Sequence, residues 1–97
     1  MINHTVFFQL NFPAGSAGEK AFFKAAEVLT TIPGVRDFRK LKEISLKNHF
    51  DYGFAMKFAG ESVYEQYNKH PLHVQFVEQH WMSSVSDFIE IDYEVMP

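Results

Sequence analysis

Between Tyr64 and His73 the chain sets two phenols and two imidazoles within ten residues: Tyr64-Glu65-Gln66-Tyr67-Asn68-Lys69-His70-Pro71-Leu72-His73. Imidazole titrates near neutral pH while a phenol keeps its proton there, so such a pair can move and position protons without a cofactor. His70-Pro71 interrupts the stretch. Proline is well tolerated at a first helical position, so a helix is predicted from Pro71 to about Met82. On a wheel of 100° per residue, Leu72, Phe76 and Val77 define an apolar arc of about 140°. His73 and His80 fall in the middle of that arc, with Gln75 and Glu78 opposite. Imidazoles on a buried face either bond backbone carbonyls in a core or face a cavity as acid/base groups. His4 shares a face with Val6 and Phe8 at the start of a strand-like segment. It either reaches the same cavity or ends the strand at solvent.

A metal centre is not expected. His73 and His80 would stand about 10.5 Å apart along a helix axis, too far for one ion bound at about 2 Å per ligand. His70 and His73 are better spaced, but the helix begins between them. The chain has no cysteine, which excludes thiolate metal sites, disulfides and a cysteine nucleophile. It has no glycine-rich phosphate loop. Ser83, Ser84 and Ser86 lack the strand–turn–helix context of a serine nucleophile and read as a loop ending the helix.

The elements that must position these groups follow from periodicity. His4 to Phe12 alternates, with His4, Val6, Phe8, Leu10 and Phe12 on one face and Thr5, Phe7, Gln9 and Asn11 on the other, which predicts a strand. Ser16 followed by Glu19 has the form of a capping box. It opens a helix predicted to about Thr31, with Phe22, Ala25, Ala26, Leu29 and Ile32 in one stripe. Pro33-Gly34 stops it. Val35 to Ile44 is crowded with charge and reads as an edge strand with a bulge. Phe50 to Phe58 alternates clearly, with Phe50, Tyr52, Phe54, Met56 and Phe58 together. Ser62-Val63-Tyr64-Glu65 reads as a second capping box, opening a short helix through about Tyr67. Asp87 to Val95 closes as a strand, with Ile89, Ile91, Tyr93 and Val95 predicted toward the helices and Phe88, Glu90, Asp92 and Glu94 away from them.

Strand, helix, strand, strand, broken helix, strand packs as an α+β ferredoxin-like βαββαβ fold, a four-stranded antiparallel sheet with helices on one face. The other face would then show Phe7 and Phe88 to water at roughly 25 cal/mol per Å². A second copy of the chain is the simplest cover.

The composition bounds the function. A chain of 97 residues supports one domain over residues 1–97. With 46% hydrophobic and 22% charged residues it should fold. Nine Lys+Arg against twelve Asp+Glu argue against nucleic acid. Apolar runs of a few residues argue against a membrane span. No charged and apolar leader precedes the first strand, so a cytoplasmic location is expected. Eleven Phe, four Tyr and one Trp suit either a Phe-rich core or an aromatic-lined cavity.

The chain resembles the stress-responsive dimeric α/β-barrel (Dabb) family over nearly its whole length. The resemblance rests on His4-Thr5-Val6, Ile32-Pro33-Gly34-Val35, Asp51-Tyr52-Gly53-Phe54-Ala55-Met56 and Ile91-Asp92-Tyr93, and above all on Tyr67-Asn68-Lys69-His70-Pro71-Leu72-His73. It implies a homodimeric α/β barrel, closed through the sheet faces away from the helices, with a cavity between sheet and helices in each subunit. One plant branch with the same string cyclises linear polyketides by intramolecular aldol condensation without a cofactor. Its catalytic tyrosine and histidine match Tyr67 and His73, while Tyr52 stands where that branch has a further pocket histidine. The expected function is binding of a small apolar or aromatic molecule. One alternative is a cofactor-independent lyase or cyclase using Tyr67 and His73. A cofactor-free monooxygenase-like enzyme, to which Trp81 lends some support, is another. Tyr67 and His73 are expected to face a cavity walled by Phe8, Phe22, Phe54 and Phe76, with His4, Tyr52, His70 and His80 also contacting the ligand.

Overall fold

In the computed structural model, which describes residues 1–97, the elements are β1 (Ile2–Leu10), α1 (Ala17–Ala26), β2 (Arg36–Lys42), β3 (Tyr52–Phe58), α2 (Glu61–Lys69), α3 (Pro71–Phe76) and β4 (Val85–Tyr93). A 3₁₀ turn, Glu27–Thr31, extends α1. A π-helical turn, Val77–Trp81, and a last α turn, Met82–Ser84, extend α3 up to β4. The helix therefore passes directly into the strand, without the expected serine loop. Ser84 is buried there, and its carbonyl accepts from the Asn11 N–H at 2.8 Å.

The strands pair antiparallel in the order β2-β3-β1-β4. This is the ferredoxin-like βαββαβ arrangement expected from the alternation. The central strand β1 buries His4, Val6, Phe8 and Leu10 on one side. Across from them β3 presents Phe54, Met56 and Phe58 on the same side. Phe22 and Ala26 of α1, with Leu29 and Ile32 beyond it, close over these strands. The Phe8 ring is tilted against its neighbours, 4.9 Å from Phe54 and 5.6 Å from Phe22, while Phe22 and Phe54 lie nearly parallel at 6.2 Å.

Local chemistry sets the ends. Ser16 caps α1, its Oγ accepting from the Glu19 N–H at 3.2 Å. The Glu19 carboxylate accepts from Gly15 rather than from Ser16, at 2.9 Å. The box at Ser62–Glu65 does not form. Gly60 caps α2, which begins at Glu61 with no side-chain cap. Gly34 has φ +92°, a left-handed conformation, and a Cβ there would come within 2.3 Å of Val63 Cγ1, so the turn before β2 packs directly on α2. The edge strand β2 carries the predicted bulge, between Arg36 and Arg39, with Asp37 at φ 52°.

The faces of β4 are the reverse of those expected. Its register sets Phe88 beside Phe8, Glu90 beside Val6 and Asp92 beside His4, and directly opposed residues share a face. Phe88, Glu90 and Asp92 therefore face the helices. Ile89, Ile91 and Tyr93 lie on the open side with Thr5, Phe7 and Ala55, and stay 44%, 49% and 49% exposed. Alternation gives two faces but does not say which is inward, and here the more apolar row points out.

Candidate active site

A cavity of about 380 Å³ opens between β1, β3 and β4 on one side and α2, α3 and the π turn on the other. Its wall is mostly hydrophobic, built in large part from Phe54, Met56, Phe76, Trp81, Met82 and Phe88. Its polar groups are His4, Tyr67, His73 and Glu90. No Lys or Arg lines it.

Tyr67 and His73 meet across the His70-Pro71 break. His70 has an extended backbone, and its Nδ1 accepts from the Leu72 N–H at 3.1 Å, so this imidazole caps α3 instead of facing a ligand. The chain turns at the cap and brings the ring of His73 to 4.5 Å from that of Tyr67, centroid to centroid. His73 Nδ1 donates to the Asn68 carbonyl at 3.0 Å. The proton is thereby placed on Nδ1, and Nε2 keeps its lone pair at the cavity wall. Burial pushes the pKa of His73 below its ordinary value, against an opposing pull from the Asn68 carbonyl. Tyr67 is 2% exposed. Burial, with the Glu90 carboxylate nearby, pushes its pKa up, so it stays a neutral donor. The site thus sets an imidazole with its proton on Nδ1 beside a phenol that keeps its own.

His4 is 5% exposed and stands on the sheet wall of the same cavity. Its ring lies 6.3 Å from that of Tyr67. Nδ1 is 2.5 Å from Asp92 Oδ1, and the Tyr64 hydroxyl lies 3.0 Å from the same nitrogen.

The other expected contacts fall elsewhere. Phe8 and Phe22 are sealed in the core behind the cavity wall. Tyr52 shares the helix-facing side with Phe8 but lies outside the cavity, packed on Phe23 and donating to Glu19 Oε2 at 2.9 Å. His80 packs beside Phe76, ring centroids 5.8 Å apart. The π turn explains its displacement. The Met82 N–H reaches back five residues to the Val77 carbonyl, so the turn holds one residue more than an α turn. Every later side chain is rotated relative to the wheel. Val77 and Trp81 take the cavity-facing positions, and His80 rolls aside. Glu90 and Asp92 lie on the face of β4 that its apolar row would place outward, and the charges alternating along that strand are the sequence signal that points to them. Tyr64, one of the two phenols of the Tyr64–His73 stretch, reaches His4 only through the packing of α2.

The sequence profile of one family, described as the Stress Responsive A/B Barrel Domain, matches residues 2–95. No curated protein matches. Among solved structures, a Dabb family protein with a ferredoxin-like fold from Mesorhizobium loti is 42% identical, with a TM-score of 0.96 over 99% of this chain and 97% of that one. A dimeric ferredoxin-like protein of unknown function from Thermobifida fusca is 18% identical, with a TM-score of 0.80 over 97% and 90%. A hydroxynitrile lyase from Passiflora edulis is 12% identical, with a TM-score of 0.82 over 99% and 96%. The last two are likenesses of fold.

Proposed function

The chain belongs to the stress-responsive A/B barrel domain family, and from that premise we propose that it binds a small, uncharged, apolar or aromatic carbonyl compound and moves a proton on it without a cofactor, as a lyase or cyclase. The observation that carries this reading is the convergence of Tyr67 and His73 on one cavity, 4.5 Å apart between rings. His73 Nε2 takes a proton from the carbon next to the carbonyl. The Tyr67 hydroxyl donates a hydrogen bond to the enolate oxygen that forms. The apolar wall receives the body of the ligand. With Glu90 as the carboxylate at the wall and no cation beside it, a carboxylate or phosphate ligand would be repelled.

The protein is further proposed to work as a homodimer. Phe7, Ile89, Ile91 and Tyr93 leave an apolar row on the open sheet face, and relatives of this fold from Thermobifida fusca and Bacteroides fragilis are described as dimeric. Two such faces close into a barrel and remove the row from water.

Hydrogen–deuterium exchange at the methyl group of acetophenone in D₂O, followed by NMR, tests the reading. The native protein should speed the exchange. His73→Gln and Tyr67→Phe should each slow it by roughly 10²–10⁴-fold. Binding of acetophenone without exchange above solvent would leave a binding barrel and remove the enzyme. No binding would remove both.

A further inference from the structure

We propose that Asp92 and Tyr64 are positioning residues that make His4 a second proton-transfer group of this cavity, facing Tyr67 from the sheet as His73 does from the helix. The proposal rests on the reading that the cavity is the functional site, though not on a role for His73. Both close polar contacts of His4 run through Nδ1: Asp92 Oδ1 at 2.5 Å and the Tyr64 hydroxyl at 3.0 Å. A carboxylate only accepts, so Nδ1 carries the proton. Nε2 has no partner within the chain, yet no buried polar side-chain atom is left sealed without one. Nε2 therefore opens onto the cavity that His4 lines.

The supporting residues are fixed in turn. Tyr64 donates to Asp92 Oδ2 at 2.8 Å, so both carboxylate oxygens are engaged. Burial, then the Asp92 carboxylate that accepts its O–H, pushes the Tyr64 pKa up, so the phenol stays protonated and keeps donating. The rings of Tyr64 and His4 lie 5.1 Å apart, and Phe58 stacks on Tyr64 at 4.9 Å, which limits how far either can swing. Asp92 sits directly across from His4 in the β1–β4 register. A carboxylate on Nδ1 holds the tautomer and stabilises the positive charge that appears when Nε2 takes a proton. With Tyr67 between them, either imidazole can take a proton from one atom of a bound carbonyl compound on its Nε2 and give that same proton back to another atom. The C–H bond breaks as the Nε2–H bond forms, and that Nε2–H bond breaks as the new bond to hydrogen forms.

Alkylation by 2-bromoacetophenone, an aromatic ketone that fits the apolar wall, reads Nε2 directly. The N–C bond forms, the C–Br bond breaks and bromide leaves. Peptide mass spectrometry should locate the label on His4 as well as His73. Asp92→Asn should slow labelling of His4 about 10- to 100-fold and spare His73. In ¹⁵N NMR the proton on His4 Nδ1 should be lost from the same variant. Tyr64→Phe, which keeps the ring, should slow His4 several-fold and serves if Asp92→Asn does not fold. A label on His73 alone, or a His4 rate and tautomer unchanged in both variants, overturns the proposal. Absence of label from both histidines overturns it together with the reading of the cavity.

Discussion

His73 is held neutral by its surroundings, and that has a measurable sign. Burial lowers its pKa in the folded chain below the ordinary 6.5 to which it returns on unfolding. The unfolded state therefore binds more protons as the medium is acidified. The associated stability is full above about pH 6.5 and is lost as pH falls through the folded pKa. Melting temperatures taken from about pH 7.5 to about pH 5 should fall, and His73→Gln should fall less steeply over the same range. Equal slopes would mean that the imidazole is already solvated. Tyr67, pushed up by burial, has no such effect in this range, because it is neutral in both states.

At the scale of elements, two short irregularities place the site. One is the π turn, which trades His80 for Trp81 at the cavity wall. The other is the turn before β2, where Gly34 combines φ +92° with an approach that would bring a Cβ to 2.3 Å from Val63 Cγ1. Gly34→Ala should therefore destabilise the fold by about 1–3 kcal/mol in chemical denaturation, with α2 displaced. Gly15, at φ +77° with open space around it, separates conformational strain from crowding. Gly15→Ala should cost about 1 kcal/mol. A Gly34→Ala cost no larger than that of Gly15→Ala would mean that Val63 yields freely. Ser16→Ala removes the cap of α1 and should cost about 1 kcal/mol.

The whole molecule measures 38 × 32 × 18 Å, two layers thick. One layer is helical and the other is a sheet with its far side uncovered. Phe7, Ala55, Ile89 and Ile91 lie on that side. Light scattering at micromolar concentration should give about twice 11.3 kDa. Ala55→Arg and Ile91→Lys should each shift it toward the single chain, since each would bury an unpaired charge at a cost of several kcal/mol. A monomeric native protein would end the barrel reading. The same strand that offers Ile89 and Ile91 to a partner carries Glu90 and Asp92 to the cavity, so Ile91→Lys also shows whether pairing steadies the Asp92–His4 contact.

How much of this was legible in the sequence depended on the range of the interaction. The alternation of His4 to Leu10 and of Tyr52 to Phe58, the cap at Ser16 and the stop at Pro33 act between neighbours in the chain, so the elements, their order and the ferredoxin-like arrangement were readable. So was the convergence of Tyr67 and His73, because it spans only the His70-Pro71 break. The direction of β4 was not, since a strand has two faces and only its pairing with β1 settles which one is inward. Nor was the π turn, because the single residue it adds is accommodated by packing on the core rather than by any local preference of Val77–Trp81. His4, Tyr64 and Asp92 lie in three elements, the first pair 60 positions apart in the chain and the first and last 88 apart. Only the sheet register and the packing of α2 bring them together, and no spacing along the chain encodes that meeting.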